Sequence, residues 1–342
     1  MTADVLIVHN AADGTDTEQF AESNAGVLEE VDAVVAALEK LDIRYKVTSI
    51  RSIAELPAVL SAASGRIIFN LVEELPQNIK DACYVPAVCR AYGRPCTGSD
   101  TSALLLAQNK WQAKAILRAH NIPTPDSAII PCGRKPRRGE LAKGTYLVKP
   151  AFSDASEGID EHSIVDAPGD SLNNAVAQVH ERFAQPALVE QFIPNRELNV
   201  SVFEESGHVR VLAVAEIDFS AFGANKPRIV GYSAKWLTDS FEYNNTPRII
   251  PAPLSKEADA LVRQYALDAW KALGCADYIR VDFRMDDKEQ PFVIEVNPNP
   301  DLCPGDGFAA ALEVAGISYD QFVRTILGNA AARQSQGGPS GA

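Results

Sequence analysis

The sequence predicts an α/β protein in which an N-terminal open parallel α/β domain precedes central and C-terminal α+β segments. Two patterns carry that reading. Over residues 1–98, apolar strand-like runs alternate with stretches of helical periodicity, and strand–helix–strand–helix–strand calls for parallel strands joined by crossover helices. Beyond residue 190, period-2 strands follow one another across short polar turns, which is the signature of antiparallel pairing.

In chain order, residues 5–8 form the first strand, and residues 27–41 place Val27, Leu28, Val31, Val34, Val35, Leu38 and Leu41 at helical spacing. Strands at 43–50 and 66–70 flank a helix at 52–63, and Pro95 and Gly98 close the first domain. No GxGxxG follows the first strand, so a dinucleotide site is not indicated. A helix at 108–120 is stopped by Asn121-Ile122-Pro123-Thr124-Pro125. Residues 146–149 form a short strand, followed by a small-residue loop at 151–159, a helix at 171–184 and a strand at 187–192. Strands at 196–203 and 209–217 lead into residues 218–247, which are polar, aromatic and without clear period; long irregular stretches are usually functional. Ser255 caps a helix that ends at Gly274. A hairpin spans 278–299, helices follow at 305–315 and 319–327, and a small-residue tail at 329–342 is expected to be disordered.

Composition narrows the function classes. Hydrophobic residues make up 46% and charged residues 23%, as in ordinary globular proteins. A formal net charge of -13 offers no basic field for nucleic-acid backbones. No apolar run reaches the length of a membrane span, and the opening residues do not read as a signal peptide. Six scattered cysteines lack CxxC spacing, which points to buried or half-buried thiols in a reducing cytoplasm.

Chemistry accumulates around the hairpin. Paired about its charged turn, it sets Asp282 opposite Glu295 and Arg280 opposite Asn297 on one face. Two carboxylates and an amide oxygen are the ligands a hard cation takes. A solvated sheet face can carry the same charges, so the other motifs matter. Lys149 ends a strand beside the small-residue loop, where an ammonium and backbone N–H groups could hold a polyphosphate. Glu190 and Glu197 bracket a sharp turn whose Phe192 and Ile193 could wall an adenine. A lysine at a strand end is most often a surface lysine, and so is Lys110 at a helix start; the order of the set is more telling than any member.

That order, in VKPAFSDASEGI, VEQFIPNREL, YIRVDFRMD and VIEVNPNP, resembles the ATP-grasp superfamily and, within it, the D-alanine–D-alanine ligase family. The resemblance covers residues 69–327. It implies an ATP-grasp fold, divided as 1–98, a central lid domain at 99–189 and a catalytic domain at 190–328. It implies that Lys110 and Lys149 hold ATP phosphates and that the loop with Ser153 and Ser156 covers them. By the same resemblance Glu190, Phe192, Ile193 and Glu197 surround adenine and ribose. Asp282, Glu295 and Asn297 would bind two Mg2+ ions, with Mn2+ as a substitute. Arg280 would steady the reacting acyl group, and Lys235 would fold over the ligands. The implied activity is ATP-dependent carboxylate–amine ligation through an acyl phosphate, on small-molecule substrates, in a homodimer.

The sequence departs from the family where substrates bind. The Gly-Ser-Ser triplet is Asp154-Ala155-Ser156, and the tyrosine after the loop lysine is Trp236. The serine that helps hold the acceptor carboxylate aligns with Asp306, where a carboxylate would be repelled and an ammonium attracted. The glutamate for the first substrate's amine is not recognisable; Glu18 and Glu22 are candidates. Altered substrates are therefore expected. The competing readings are a genuine D-alanine–D-alanine ligase and a non-catalytic nucleotide-binding protein, the latter having little use for Arg280.

Overall fold

Strand β1 (Val5–Asn10) is buried along its whole length, which suits the central strand of a parallel sheet covered on both faces. The computed structural model describes residues 4–11, 21–75, 78–137, 139–153, 156–224 and 226–336, with the backbone alone at 21–25 and 335–336. Helix α1 (Ala21–Lys40) buries Val27, Val31, Val34 and Leu38, a stripe at three- and four-residue spacing. Strand β2 (Tyr45–Ile50), helix α2 (Leu56–Ala62) and strand β3 (Ile67–Leu71) complete a sheet of order β2-β1-β3, parallel throughout. The helix expected at 108–120 has companions: α3 (Val85–Ala91), α4 (Thr101–Gln108) and then α5 (Lys110–Ala119). Asn109 separates the last two and accepts from Gln112 N at 3.1 Å, capping α5.

The second sheet is antiparallel and contains β4 (Ser127–Ile130), β5 (Gly144–Pro150), β6 (Ile164–Ala167) and β7 (Ala187–Gln191), in the order β4-β7-β5-β6. Helix α6 (Asp170–Phe183) covers it through Leu172, Ala175, Val176 and Val179. The third sheet begins with the long strands β8 (Arg196–Glu205) and β9 (His208–Ile217). Residues 218–247 are less irregular than the sequence implies, since they include α7 (Tyr232–Trp236) and α8 (Phe241–Asn244). Helices of five and four residues are too short for a periodic pattern to register. Strand β10 (Arg248–Ile249) joins β9, and α9 (Lys256–Leu273) follows with Ser255 as N-cap and Gly274 in the left-handed conformation. The expected hairpin is β11 (Tyr278–Met285) and β12 (Pro291–Asn297), giving the order β10-β9-β8-β11-β12.

Helices α10 (Gly307–Val314) and α11 (Tyr319–Gln336) end the described chain. The expected disorder from 329 is overturned as far as Gln336, while residues 337–342 lie outside the described residues. The reason is packing that composition does not reveal. Ala330 is fully buried, and Phe308, Phe322 and Ile326 share one core with Val5, Ile7 and Phe69 of the first sheet. Arg333 clamps the fully buried Asp277 through Nη1 at 2.7 Å and Nη2 at 2.8 Å. The same aspartate accepts from Gly98 N at 2.7 Å, so one carboxylate ties the end of the first segment to the last helix. The thiols are free and mostly buried as expected, except that Cys132 is exposed.

Replacing Arg333 with Met strips Asp277 of its counter-charge and should cost about 2–3 kcal/mol. Urea denaturation measures this, and a loss below about 0.5 kcal/mol, the range of neutral surface changes, would contradict the clamp.

Candidate active site

The hairpin register brings Asp282 opposite Glu295 and Arg280 opposite Asn297. Arg280 grips Asp282 in a two-pronged pair, Nε to Oδ1 at 2.8 Å and Nη2 to Oδ2 at 2.9 Å. Asn199 of β8 donates to Oδ1 at 2.8 Å and Asn297 to Oδ2 at 3.0 Å, so Asp282 is oriented from three sides. Burial alone would weaken the Arg280 charge, but Asp282 outweighs it and raises the guanidinium pKa. Lys110 reaches across from α5, pairing with Glu295 at 2.8 Å and donating to the carbonyl of Ser153 at 2.6 Å. Burial would push the Glu295 carboxyl up; Lys110, Lys149 and Arg280 together bring it down to about 2. Asp282, Glu295 and the amide of Asn297 offer only oxygen ligands, which fits a hard divalent cation and no soft one.

Above this floor, Glu190 of β7 is buried between two lysines. Lys149 of the neighbouring β5 lies 2.8 Å from Oε1, and Lys114 of α5 lies 2.7 Å from Oε2. Lys114 also donates to Thr124 at 2.8 Å. Desolvation is the largest influence on Glu190 and on Lys114. For Glu190 it is overcome by the two ammonium charges, leaving the carboxyl at about 2. For Lys114 it prevails and lowers the ammonium to about 8.

The β7–β8 turn contributes Phe192 and Ile193, and the start of β8 contributes Glu197, to the wall of the cavity. Arg284, two residues beyond Asp282 on the same face of β11, donates to Glu197 at 2.8 Å, to Ile193 O at 2.9 Å and to Arg228 O at 2.6 Å. Its guanidinium lies 5.2 Å from the Phe192 ring centre. Burial raises the Glu197 carboxyl, with Arg284 opposing it.

Two loops meet over the cleft. Ser156 Oγ donates to Val230 O at 3.0 Å, and Tyr232 N donates to Ile159 O at 3.0 Å. Glycine is needed on both sides. Gly158 has φ +73, and a Cβ there would lie 2.8 Å from the Phe183 ring; one at Gly231 would lie 2.7 Å from Ile159 O. Beneath the loops is a cavity of about 530 Å³, lined by Lys149, Ser156, Glu190, Phe192, Ile193, Glu197, Lys235, Trp236, Arg280, Asp282, Glu295, Asn297 and Asp306. Lys110 and Ser153 lie just behind that wall, joined to it through Glu295.

The end beyond Arg280 carries groups of both signs. Glu73, Asp301, Asp306 and Arg248 line it. Asp306 is raised to about 6, by burial first and then by the charge and hydrogen bond of Asp301. Glu30 of α1 lies against Asp301 and Cys303, with ligand atoms within 4.8 Å of one another, and accepts from Leu302 N at 2.5 Å. Burial, then Glu73 and Asp301, raise its carboxyl well above the ordinary range.

The structure thus gathers the expected nucleotide, metal and catalytic residues around one cleft. Glu22 lies on α1 with its side chain undescribed, and Glu18, Asp154 and Ala155 lie outside the described residues. Residues the motif reading missed are Lys114, Arg284, Arg248, Glu30, Glu73 and Asp301. For three of them periodicity held a signal: Lys114 follows Lys110 by one helical turn, Arg284 continues the Arg280–Asp282 alternation, and Glu30 falls on the apolar stripe of α1.

In the folded protein Glu190 titrates near 2, against about 4.3 in an unfolded chain. Its stabilising contribution is therefore complete above about pH 5 and lost as pH falls toward 2. Glu190→Gln leaves two buried ammonium groups unopposed, for an expected cost of about 3–5 kcal/mol at pH 7. It should also flatten the acid limb of the stability profile between about pH 5 and 2. An unchanged urea midpoint and acid limb would refute the assignment.

Comparisons with known proteins point to one family. The family model described as the D-ala D-ala ligase C-terminus matches residues 142–328. A D-alanine–D-alanine ligase of Caulobacter sp. (strain K31) is 32% identical over 311 residues, 90% of this chain and 89% of that protein. Protein y4sG of Sinorhizobium fredii is 31% identical over 275 residues, 79% of this chain and 76% of that one. In overall fold the chain is similar to the crystal structure of D-alanine–D-alanine ligase from Bacillus anthracis complexed with ATP. The TM-score is 0.76 at 19% identity, over 99% of this chain and 100% of that one. A model match over more than half the chain and full-length relatives of this kind lead to one conclusion: the chain belongs to the D-alanine–D-alanine ligase family, ATP-dependent, ADP-forming ligases of the ATP-grasp fold.

Proposed function

We propose that this chain joins a carboxylate to an amine on amino-acid-type substrates other than a pair of D-alanines. The observation that carries the reading is the division of the cavity. Lys110, Lys149, Glu190, Arg280, Asp282, Glu295 and Asn297 form a complete set for phosphoryl transfer, whereas the far end holds Asp301 and Asp306 where the relatives' acceptor pocket would lie. Lys110 and Lys149, with loop N–H groups, would hold the phosphates, and the turn at Phe192, Ile193 and Glu197 the nucleoside. Asp282, Glu295 and Asn297 would hold Mg2+, which supplies charge neutralisation for in-line transfer when bound.

In this reading a donor carboxylate oxygen bonds to the γ-phosphorus, the bond to the ADP oxygen breaks, and an acyl phosphate results. The acceptor amine then bonds to the acyl carbon, loses a proton, and inorganic phosphate leaves. Arg280, fixed by Asp282, stands where a tetrahedral oxyanion would develop, and one such donor is typically worth about a hundred- to a thousand-fold in rate. Lys235 and Ser156 on the covering loops would keep water from the acyl phosphate. The proposal carries the division at 1–98, 99–189 and 190–328; the first and third sheets lie within the first and last parts, while β7 of the second sheet runs across the boundary at 189. It also carries the homodimer of the family resemblance and, from the free thiols, a cytoplasmic setting. Among the described residues, no helix is long and apolar enough to cross a membrane.

ADP release measured with ATP, Mg2+ and panels of D- and L-amino acids and amines should require both a carboxylate and an amine. Glu295→Ala should remove at least about a hundred-fold of the rate. Full activity in that variant would sink the metal assignment, and efficient turnover of D-alanine alone would favour a genuine D-alanine–D-alanine ligase.

A further inference from the structure

We infer that Arg248 is the specificity residue for the acceptor, binding a carboxylate that the acceptor carries beside its amine. This rests on the ligase reading above and concerns only the end of the cleft beyond Arg280. Arg248 lies on β10 and lines the same cavity as Arg280 and Asp306. What distinguishes it is which of its donors are used. Arg280 holds Asp282, and Arg196 holds Glu216, through the Nε/Nη2 edge, the one that meets a carboxylate with two parallel bonds. In Arg248 that edge is unused. Its Nε is buried without a hydrogen-bond partner, and its Nη2 stands 4.0 Å from Asp306 Oδ1, beyond bonding range. Only Nη1 is engaged, donating to Gly305 O at 3.1 Å.

A buried donor left unmade is costly, and a structural arginine would have closed onto its neighbour. Here the guanidinium and the Asp306 carboxylate stop just short of each other. An α-amino acid fits here: its carboxylate takes Nη2 of Arg248, Nε being closed to the cavity in this conformation, and its amine, one carbon away, faces Asp306. The charge balance agrees. Asp301 and Asp306 alone would repel a carboxylate, and Arg280, the other guanidinium nearby, is already taken by Asp282. Arg248 adds a cation there beside Lys235, whose charge also reaches Asp301 and Asp306.

The test uses the full chain with ATP, Mg2+ and an amino-acid donor, and acceptors paired by the presence or absence of the carboxylate: alanine with ethylamine, ornithine with putrescine. Wild type should prefer the amino acid of each pair by roughly 10- to 100-fold in kcat/KM. Arg248→Met should erase that preference through KM, and Arg248→Lys should keep part of it, carrying the same test if the Met variant does not fold. Equal or better use of ethylamine and putrescine by wild type, or a wild-type ratio in Arg248→Met, overturns the inference. Hydroxylamine separates this failure from that of the ligase reading. Hydroxamate formed by wild type without any carboxylate preference removes Arg248 and leaves the ligase. Neither hydroxamate nor amide from any donor removes both.

Discussion

The cleft depends on charges that neutralise one another directly, side chain to side chain. Glu190 is held between Lys114 and Lys149, Glu295 by Lys110, and Asp282 by Arg280. Two of these clusters join separate elements, α5 with β5 and β7 at Glu190 and α5 with β12 at Glu295, whereas Arg280 and Asp282 share β11. Burying any of these ions alone would be prohibitive, so the elements must assemble together or not at all. The groups that would hold a nucleotide and its metal are therefore the same groups that join the second and third sheets. A nucleotide and its metal held there would exchange one set of counter-charges for another.

A second constraint runs from the first segment to the last. The core beneath β1 and β3 is completed by Phe308, Phe322 and Ile326 of the final two helices, and Asp277 bonds both Gly98 and Arg333. The end of the cavity beyond Arg280 lies near this junction, where Glu30 of α1 reaches Leu302 between the hairpin and α10. Side chains there answer to packing as well as to ligand, which accounts for a cluster as costly as Glu30, Asp301 and Asp306.

Much of this was legible in the sequence. Period-2 alternation set the register at one end of the hairpin, from Arg280–Asn297 to Asp282–Glu295, but not the bulge after Asp282 that pairs Phe283 with Val293. The parallel sheet followed from alternating apolar runs, and α9 from its Ser255 and Gly274 caps. The remainder was hidden for physical reasons. Gly, Ala and Ser in the tail signal flexibility only in the absence of a groove, and the groove is built by residues hundreds of positions earlier. Lys114 and Arg284 are ordinary surface types until the fold brings Glu190 and Glu197 to them. Arg248 sits on a two-residue strand too short to leave any pattern.

The contacts of Ser156 with Val230 and of Tyr232 with Ile159 have a kinetic consequence. They bind the phosphate-side loop to the acceptor-side loop, and the bare backbones at Gly158 and Gly231 let them mesh closely. Lifting either cover breaks these two bonds, so under the proposed function the release of ADP and of the amide would draw on the same contacts.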